Sequence, residues 1–141
     1  DLHSFPTRRS SDLLPDADFL YLALPETPET KNLISRERLD MLKPTCGIVN
    51  IGRQSTMDYD ALGEKLIKNE IAGAILDVFT LEPIEKNSKL WDIPNLVITP
   101  HVSSDEDGNY VELTLDIFIK NLKLFVDNKE LNNQIDKKLG Y

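Results

Sequence analysis

From Leu14 onward, apolar runs of strand length alternate with segments of helical period. Asp18–Leu24 (DFLYLAL) is a continuous apolar run stopped by Pro25, the pattern of a strand buried on both faces of a parallel sheet. Pro25–Thr30 (PETPET) reads as a loop from its prolines. Ser35 is placed to cap a helix running to about Leu42, with Ile34 and Leu39 at hydrophobic-staple positions and Pro44 ending it. Gly47–Ile51 (GIVNI) is a second strand. Asp58 is placed to cap a helix through about Lys68, with Met57 and Leu62 again at staple spacing. Gly73–Val78 (GAILDV) is a third strand and Leu96–Thr99 a fourth. Ser104 and Asp107 resemble a capping box, opening a long helix over 104–126. Val111, Leu115, Phe118, Ile119, Leu122 and Phe125 share one face of that helix. Leu113, Ile117 and Leu124 form a second apolar flank, so the helix is expected to pack on more than one surface.

Strands alternating with helices of about ten residues indicate βαβ units. The expected fold class is α/β: an incomplete doubly wound parallel sheet of about four strands with flanking helices and a long C-terminal helix. The edge beside Asp18–Leu24 should be uncovered in this chain, an exposure that native sheets usually avoid.

Residues 1–13 (DLHSFPTRRSSDL) do not share this order. They lack the apolar core of a secretory signal, and Asp1 and Asp12 disfavour a transit peptide. The run from His3 to Leu13 resembles the translation of a common sequencing adapter, which makes 1–13 a non-native segment and removes functional weight from His3, Arg8 and Arg9. Sixteen Lys+Arg against 24 Asp+Glu leave a net charge of −8 at pH 7, which argues against nucleic-acid binding and against a polybasic membrane surface. No apolar run approaches the length of about 18 residues needed to span a bilayer. The single cysteine, Cys46, excludes an internal disulfide and a multi-cysteine zinc site. It reads as a small buried hydrophobe near a strand start, and a cytoplasmic location is expected. No metal site is expected.

Ligands of open α/β sheets bind beyond the carboxyl ends of the strands. The residues there are Arg53 after the second strand, Glu82 after the third and His101 after the fourth. Arg can grip a carboxylate in a two-pronged fork, and His can move a proton near neutral pH. A neighbouring Glu would orient the imidazole and favour its charged form. Asp77 ends the third strand, where it could accept a hydrogen bond from a bound amide. Each residue also has a plain reading: a solvated Arg, a turn Glu before Pro83, a loop His, a structural strand-end Asp. Spacing alone leaves the reaction open.

Four stretches then carry a resemblance: LALPETPETKNLI, MLKPTCGIVNIGR, AGAILDVFTLEP and NLVITPHVSS. In this order and spacing they resemble the D-isomer-specific 2-hydroxyacid dehydrogenases over essentially all of residues 14–141. The resemblance implies a Rossmann-like dinucleotide-binding domain, with 14–127 as its C-terminal half and 128–141 returning to a substrate domain outside this chain. It implies NAD or NADP as cofactor and hydride transfer at C2 of a small 2-oxo or 2-hydroxy acid. It casts Arg53 as the carboxylate binder, His101 as the proton donor and Glu82 as its support. It places Leu24, Pro25, Ile51, Asp77 and Ser103 against the cofactor, and it implies a homodimer. Gln54 departs from the glycine common after the motif arginine, and Ser103 and Ser104 stand where Gly or Ala is frequent. No G-x-G-x-x-G occurs in the 141 residues, nor the residue downstream of it that separates NAD from NADP. The chain alone is therefore expected to be inactive. A non-catalytic nucleotide-sensing or corepressor-like module is the competing reading, disfavoured by the retention of Arg53, Glu82 and His101.

Overall fold

The computed structural model describes residues 10–104 and 108–138. Residues 1–9 of the segment expected to be non-native, and Asp107 of the expected capping box, lie outside them. The chain forms two compact units, 1–101 and 102–141.

The first unit is built on four parallel strands in sequential order: β1 (Phe19–Leu22), β2 (Gly47–Asn50), β3 (Gly73–Leu76) and β4 (Leu96–Ile98). Helix α1 (Ser10–Leu13) precedes β1, α2 (Arg36–Leu39) joins β1 to β2, and α3 (Tyr59–Ile67) joins β2 to β3. This is the expected α/β, Rossmann-like arrangement. The register sets Leu22, Asn50, Leu76 and Ile98 in one row and Leu20, Ile48, Ala74 and Leu96 in another. Leu22, Ile48, Ala74 and Leu76 from these rows join Leu39, Leu42, Leu62 and Leu66 of the helical layer in the core. The strands are therefore buried on one face and not on both. Phe19 is 77% exposed and Tyr21 60%, and Ile75 and Val97 are exposed with them. Successive strand residues point to opposite faces, and α2 and α3 contribute to the covering of one of them.

The starts of α2 and α3 differ in their caps. Asp58 accepts a hydrogen bond from Ala61 N at 2.9 Å, and Met57 and Leu62 are both buried beside it. Ser35 occupies the cap position of α2, but its hydroxyl donates to Glu37 at 2.6 Å instead of accepting from the backbone. That helix is one turn long, well short of the expected Leu42. Lys65 of α3 reaches Asp40, just past α2, at 2.6 Å and Glu70 at 3.2 Å. Cys46, fully buried just before β2, behaves as the small hydrophobe expected, and burial pushes its thiol pKa up.

The second unit holds the long helix α4 (Tyr110–Val126). It starts six residues later than its sequence pattern suggested. Gly108, at φ +118°, breaks the helical conformation, and Asn109 becomes the cap residue. Val111, Phe118 and Phe125 are exposed on it. Asn121 exchanges two hydrogen bonds with the backbone of Asn132, fastening α4 to the segment that follows. Among the described residues no helix is long and apolar enough to cross a membrane, and no cluster of His, Cys, Asp and Glu could hold a metal ion.

Candidate active site

The four strand-end loops lie along one edge of the sheet and are joined to each other by side chains. The loop after β1 holds Glu26, which accepts from Ser55 Oγ at 2.7 Å in the loop after β2. Gln54, beside Ser55, accepts from both the backbone N–H and the hydroxyl of Thr80 in the loop after β3. Glu82, two residues on, meets His101 after β4, with Oε2 2.8 Å from Nδ1. Three neighbouring pairs of loops are thus each bridged.

The Glu82–His101 pair is the candidate chemical centre. Glu82 Oε1 accepts Phe79 N–H at 2.7 Å while Oε2 serves His101. Both bonds favour the charged carboxylate, with His101 the larger influence, and hold its pKa below the ordinary range. His101 sits at φ +57°, in the left-handed region that His enters more readily than most side chains. Its side chain is 41% exposed, open enough to meet a ligand. Beside Glu82 lies a cavity of about 510 Å³ with largely apolar walls: Phe79, Pro83, Ile84, Trp91, Ile98 and Pro100.

Arg53 is exposed in its turn, and its Nη1 donates back to Gly52 O at 2.8 Å. The turn is held from below by Asn50, a polar residue in an otherwise apolar inward row. Asn50 Oδ1 accepts Gly52 N–H at 3.0 Å, and Nδ2 donates to Arg53 O at 3.2 Å and to Tyr59 OH at 3.1 Å. Thr56 Oγ1 also donates to Arg53 O, at 2.7 Å. Tyr59 donates onward to Val78 O at 3.0 Å, and burial pushes the pKa of its hydroxyl up. The network satisfies every polar atom it buries, the condition for a polar group in a core to stabilise rather than cost.

The residues expected to meet the cofactor fall into three places. Leu24, Pro25 and Ile51 gather at the ends of β1 and β2, where Ile51 N–H donates to Leu22 O at 2.9 Å. Gly52 makes this closeness possible: a Cβ there would stand 2.6 Å from Leu24 O and 2.7 Å from Leu24 N. Asp77 is 1% exposed at the end of β3 and accepts from Thr99 Oγ1 at 2.5 Å. Ser103 is exposed at the start of the second unit. The missing side chain of Gly52 lets Leu24 backbone lie against it, and Asp77 is a carboxylate whose oxygens accept from N–H and O–H donors. Leu24, Pro25, Ile51 and Asp77 lie at the strand-end edge where ligands of open α/β sheets bind.

Sequence reasoning passed over Asn50, Tyr59, Thr80 and Thr99. Asn50 carried a legible signal, a polar residue at an inward position of a strand. The others are ordinary residues until the fold gives them partners.

Four parallel strands in sequential order, with a Glu–His pair and an arginine along their carboxyl edge, place the domain in the Rossmann-like α/β class. The chain belongs to the D-isomer specific 2-hydroxyacid dehydrogenase family, whose NAD binding domain matches residues 3–103. It is 50% identical over 92 residues to glyoxylate/hydroxypyruvate reductase B of Pectobacterium carotovorum subsp. carotovorum (strain PC1), covering 65% of this chain and 29% of that protein. It is 45% identical over 97 residues to glyoxylate reductase of Pyrococcus horikoshii, covering 69% and 29%. Among solved structures it resembles an NADPH-dependent glyoxylate/hydroxypyruvate reductase from Sinorhizobium meliloti in complex with NADP and sulfate. The TM-score is 0.83 at 29% identity, over 93% of this chain and 42% of that one. A D-isomer specific 2-hydroxyacid dehydrogenase from Xanthobacter autotrophicus Py2, in complex with NADPH and MES, matches with TM-score 0.81 at 31% identity, over 92% and 54%. The chain thus spans 29% of the length of these two curated relatives.

Proposed function

We propose that this chain is part of an oxidoreductase that transfers hydride between NAD(P)H and C2 of a small 2-oxo or 2-hydroxy acid of D configuration. The observation that carries the reading is the 2.8 Å Glu82–His101 pair on the sheet edge that also bears Arg53. In the reducing direction, Arg53 holds the substrate carboxylate in a charge-assisted fork. Glu82 occupies His101 Nδ1, which leaves Nε2 as the nitrogen to meet the substrate. Protonated His101 gives its proton to the C2 oxygen, and the positive charges of Arg53 and the imidazolium stabilise the charge growing there. In the oxidising direction His101 takes the hydroxyl proton back. A bound nicotinamide supplies or accepts the hydride. Leu24, Pro25, Ile51 and Asp77 would hold it.

Both NAD and NADP are kept as cofactors. A cytoplasmic location and a homodimer of the intact protein complete the proposal; the buried free thiol of Cys46 suits a reducing compartment, and the homodimer rests on the family resemblance. The test is oxidation of NADH and NADPH by the intact protein with glyoxylate or hydroxypyruvate, and with a prochiral 2-oxo acid to fix the configuration of the product. Turnover to the D product, abolished in His101→Ala, is the expected result. No turnover, or an L product, would reject it. The 141-residue chain alone should give no turnover with glyoxylate, hydroxypyruvate or pyruvate, since it contains no phosphate-binding G-x-G-x-x-G turn.

A further inference from the structure

We propose that Gln54 is a positioning residue that sets the register between Arg53 and the Glu82–His101 pair, by holding Thr80 with its amide oxygen. The inference rests on the reading that Arg53 grips the substrate while His101 moves its proton.

Those two groups belong to different loops, and each loop is stiff by itself. The Arg53 turn is held by Asn50 and Thr56. The loop after β3 is closed on itself by the bond from Phe79 N–H to Glu82 Oε1 at 2.7 Å. Two stiff bodies can still slide past each other. Gln54 is the direct neighbour of Arg53, and Thr80 lies between Phe79 and Glu82. The Gln54 oxygen takes both donors of Thr80, its N–H and its hydroxyl. The backbone N–H can only donate, so the group facing it must be the amide oxygen. A bond to backbone and side chain at once fixes the Thr80 peptide in two directions. The link is also placed where it matters. On one side it joins the residue next to the carboxylate-binding arginine. On the other it joins the peptide segment that supplies Glu82 with its second hydrogen bond.

A substrate held at its carboxylate by Arg53 presents its C2 oxygen at a fixed distance from that anchor. A slip of about 1 Å between the loops leaves binding nearly intact but misplaces the oxygen from His101, and such slips lower rates by about a hundredfold. The signature is therefore a fall in kcat with little change in KM.

The experiment compares Gln54→Leu, Thr80→Val and Thr80→Ser in the intact protein, with the double variant Gln54→Leu/Thr80→Val. Leu keeps the bulk of Gln and removes the acceptor. Val removes the hydroxyl of Thr80, and Ser keeps it. Gln54→Leu should lower kcat for 2-oxo acid reduction about ten- to a hundredfold, with KM within about threefold. Thr80→Val should show a smaller fall in kcat, Thr80→Ser should match the wild type, and the double variant should be no worse than Gln54→Leu alone. A second readout needs no turnover. Glu82, titrated by carbon-detected NMR, should move up toward the ordinary carboxylate range in Gln54→Leu as its bonds to Phe79 N–H and His101 loosen. The proposal is overturned if Gln54→Leu leaves either kcat or the Glu82 titration at the wild-type value. It is also overturned if Thr80→Ser is as impaired as Thr80→Val. If the wild-type protein reduces no 2-oxo acid, the reaction reading fails, and the Glu82 titration still decides whether Gln54 orders the pair.

Discussion

The Glu82 carboxylate spans two loops, with one oxygen 2.8 Å from His101 Nδ1 and the other accepting Phe79 N–H at 2.7 Å. Both bonds depress its pKa, His101 more strongly. The sign of the consequence follows from linkage. A depressed carboxylate contributes stability above its unfolded-chain pKa, and loses that contribution as pH falls through its folded value. Glu82 should therefore remain ionised at acidic pH where free glutamate is protonated, and His101→Ala should return it upward. Carbon-detected NMR titration checks this; a Glu82 signal in the ordinary range in the wild type contradicts the pairing. Glu82→Gln should lower kcat of the intact protein by about a hundredfold, on the scale of a lost acid–base contribution.

Asn50 ties the floor of the site to the core. Replacing it with Leu suits the apolar row of Leu22, Leu76 and Ile98 but strips the Gly52 N–H of its partner. An orphaned buried donor costs about 2 kcal/mol. Urea unfolding of Asn50→Leu should show a lower midpoint at an unchanged slope. An unchanged midpoint would mean that the Arg53 turn stands without Asn50.

Gly52 keeps the ends of β1 and β2 close. In Gly52→Ala the new methyl would stand 2.6 Å from Leu24 O, so backbone must move. Forced overpacking costs about 1–3 kcal/mol. Because the displaced atoms are those of the Leu24–Pro25 loop, the loss should appear in cofactor affinity, about tenfold or more in Kd. Fluorescence titration of the intact protein with NADH and NADPH measures it. A variant that binds like the wild type would place the cofactor away from this loop.

Lys65 is a buried lysine of α3. Its ammonium lies between Asp40 and Glu70, which raises its pKa, the Asp40 bond contributing most. Both carboxylates are more than half exposed or nearly so, at 58% and 50%, and can return to water when the lysine is removed. Lys65→Met keeps the buried stem of the side chain and should change stability by less than about 1 kcal/mol. Thermal unfolding checks this; a larger loss would show that the ion pairs hold α2 to α3.

Much of the architecture was legible because it rests on local pattern. The runs at Phe19–Leu22, Gly47–Asn50 and Gly73–Leu76 were continuous and apolar, and each became a strand within two residues of its expected ends. The Asp58 cap and the Met57–Leu62 staple marked the start of α3 in two ways. Less legible was which side of the sheet would be covered. Phe19 and Tyr21 look as apolar as Leu22, and nothing in the run itself says which face a helix will lie on. The start of α4 was misplaced because Ser104 and Asp107 offered a capping pattern, while Gly108 and its backbone conformation decided otherwise.

The candidate site divides in the same way. Glu82, His101, Arg53 and Asp77 were visible in the sequence because strand ends can be counted and those residue types carry chemistry. The sequence also held the family motifs, and with them the expectation of a nicotinamide enzyme. What holds the site in register was not visible there. Ser55 meets Glu26, Gln54 meets Thr80, and Thr99 meets Asp77 across separations of 29, 26 and 22 residues. Such pairs exist only once parallel strands bring their loops to one edge. A hydrogen bond depends on distance and angle in space, and no residue's identity along the chain specifies those. The identities of the candidate residues were determined by the sequence alone, and their alignment by the tertiary fold.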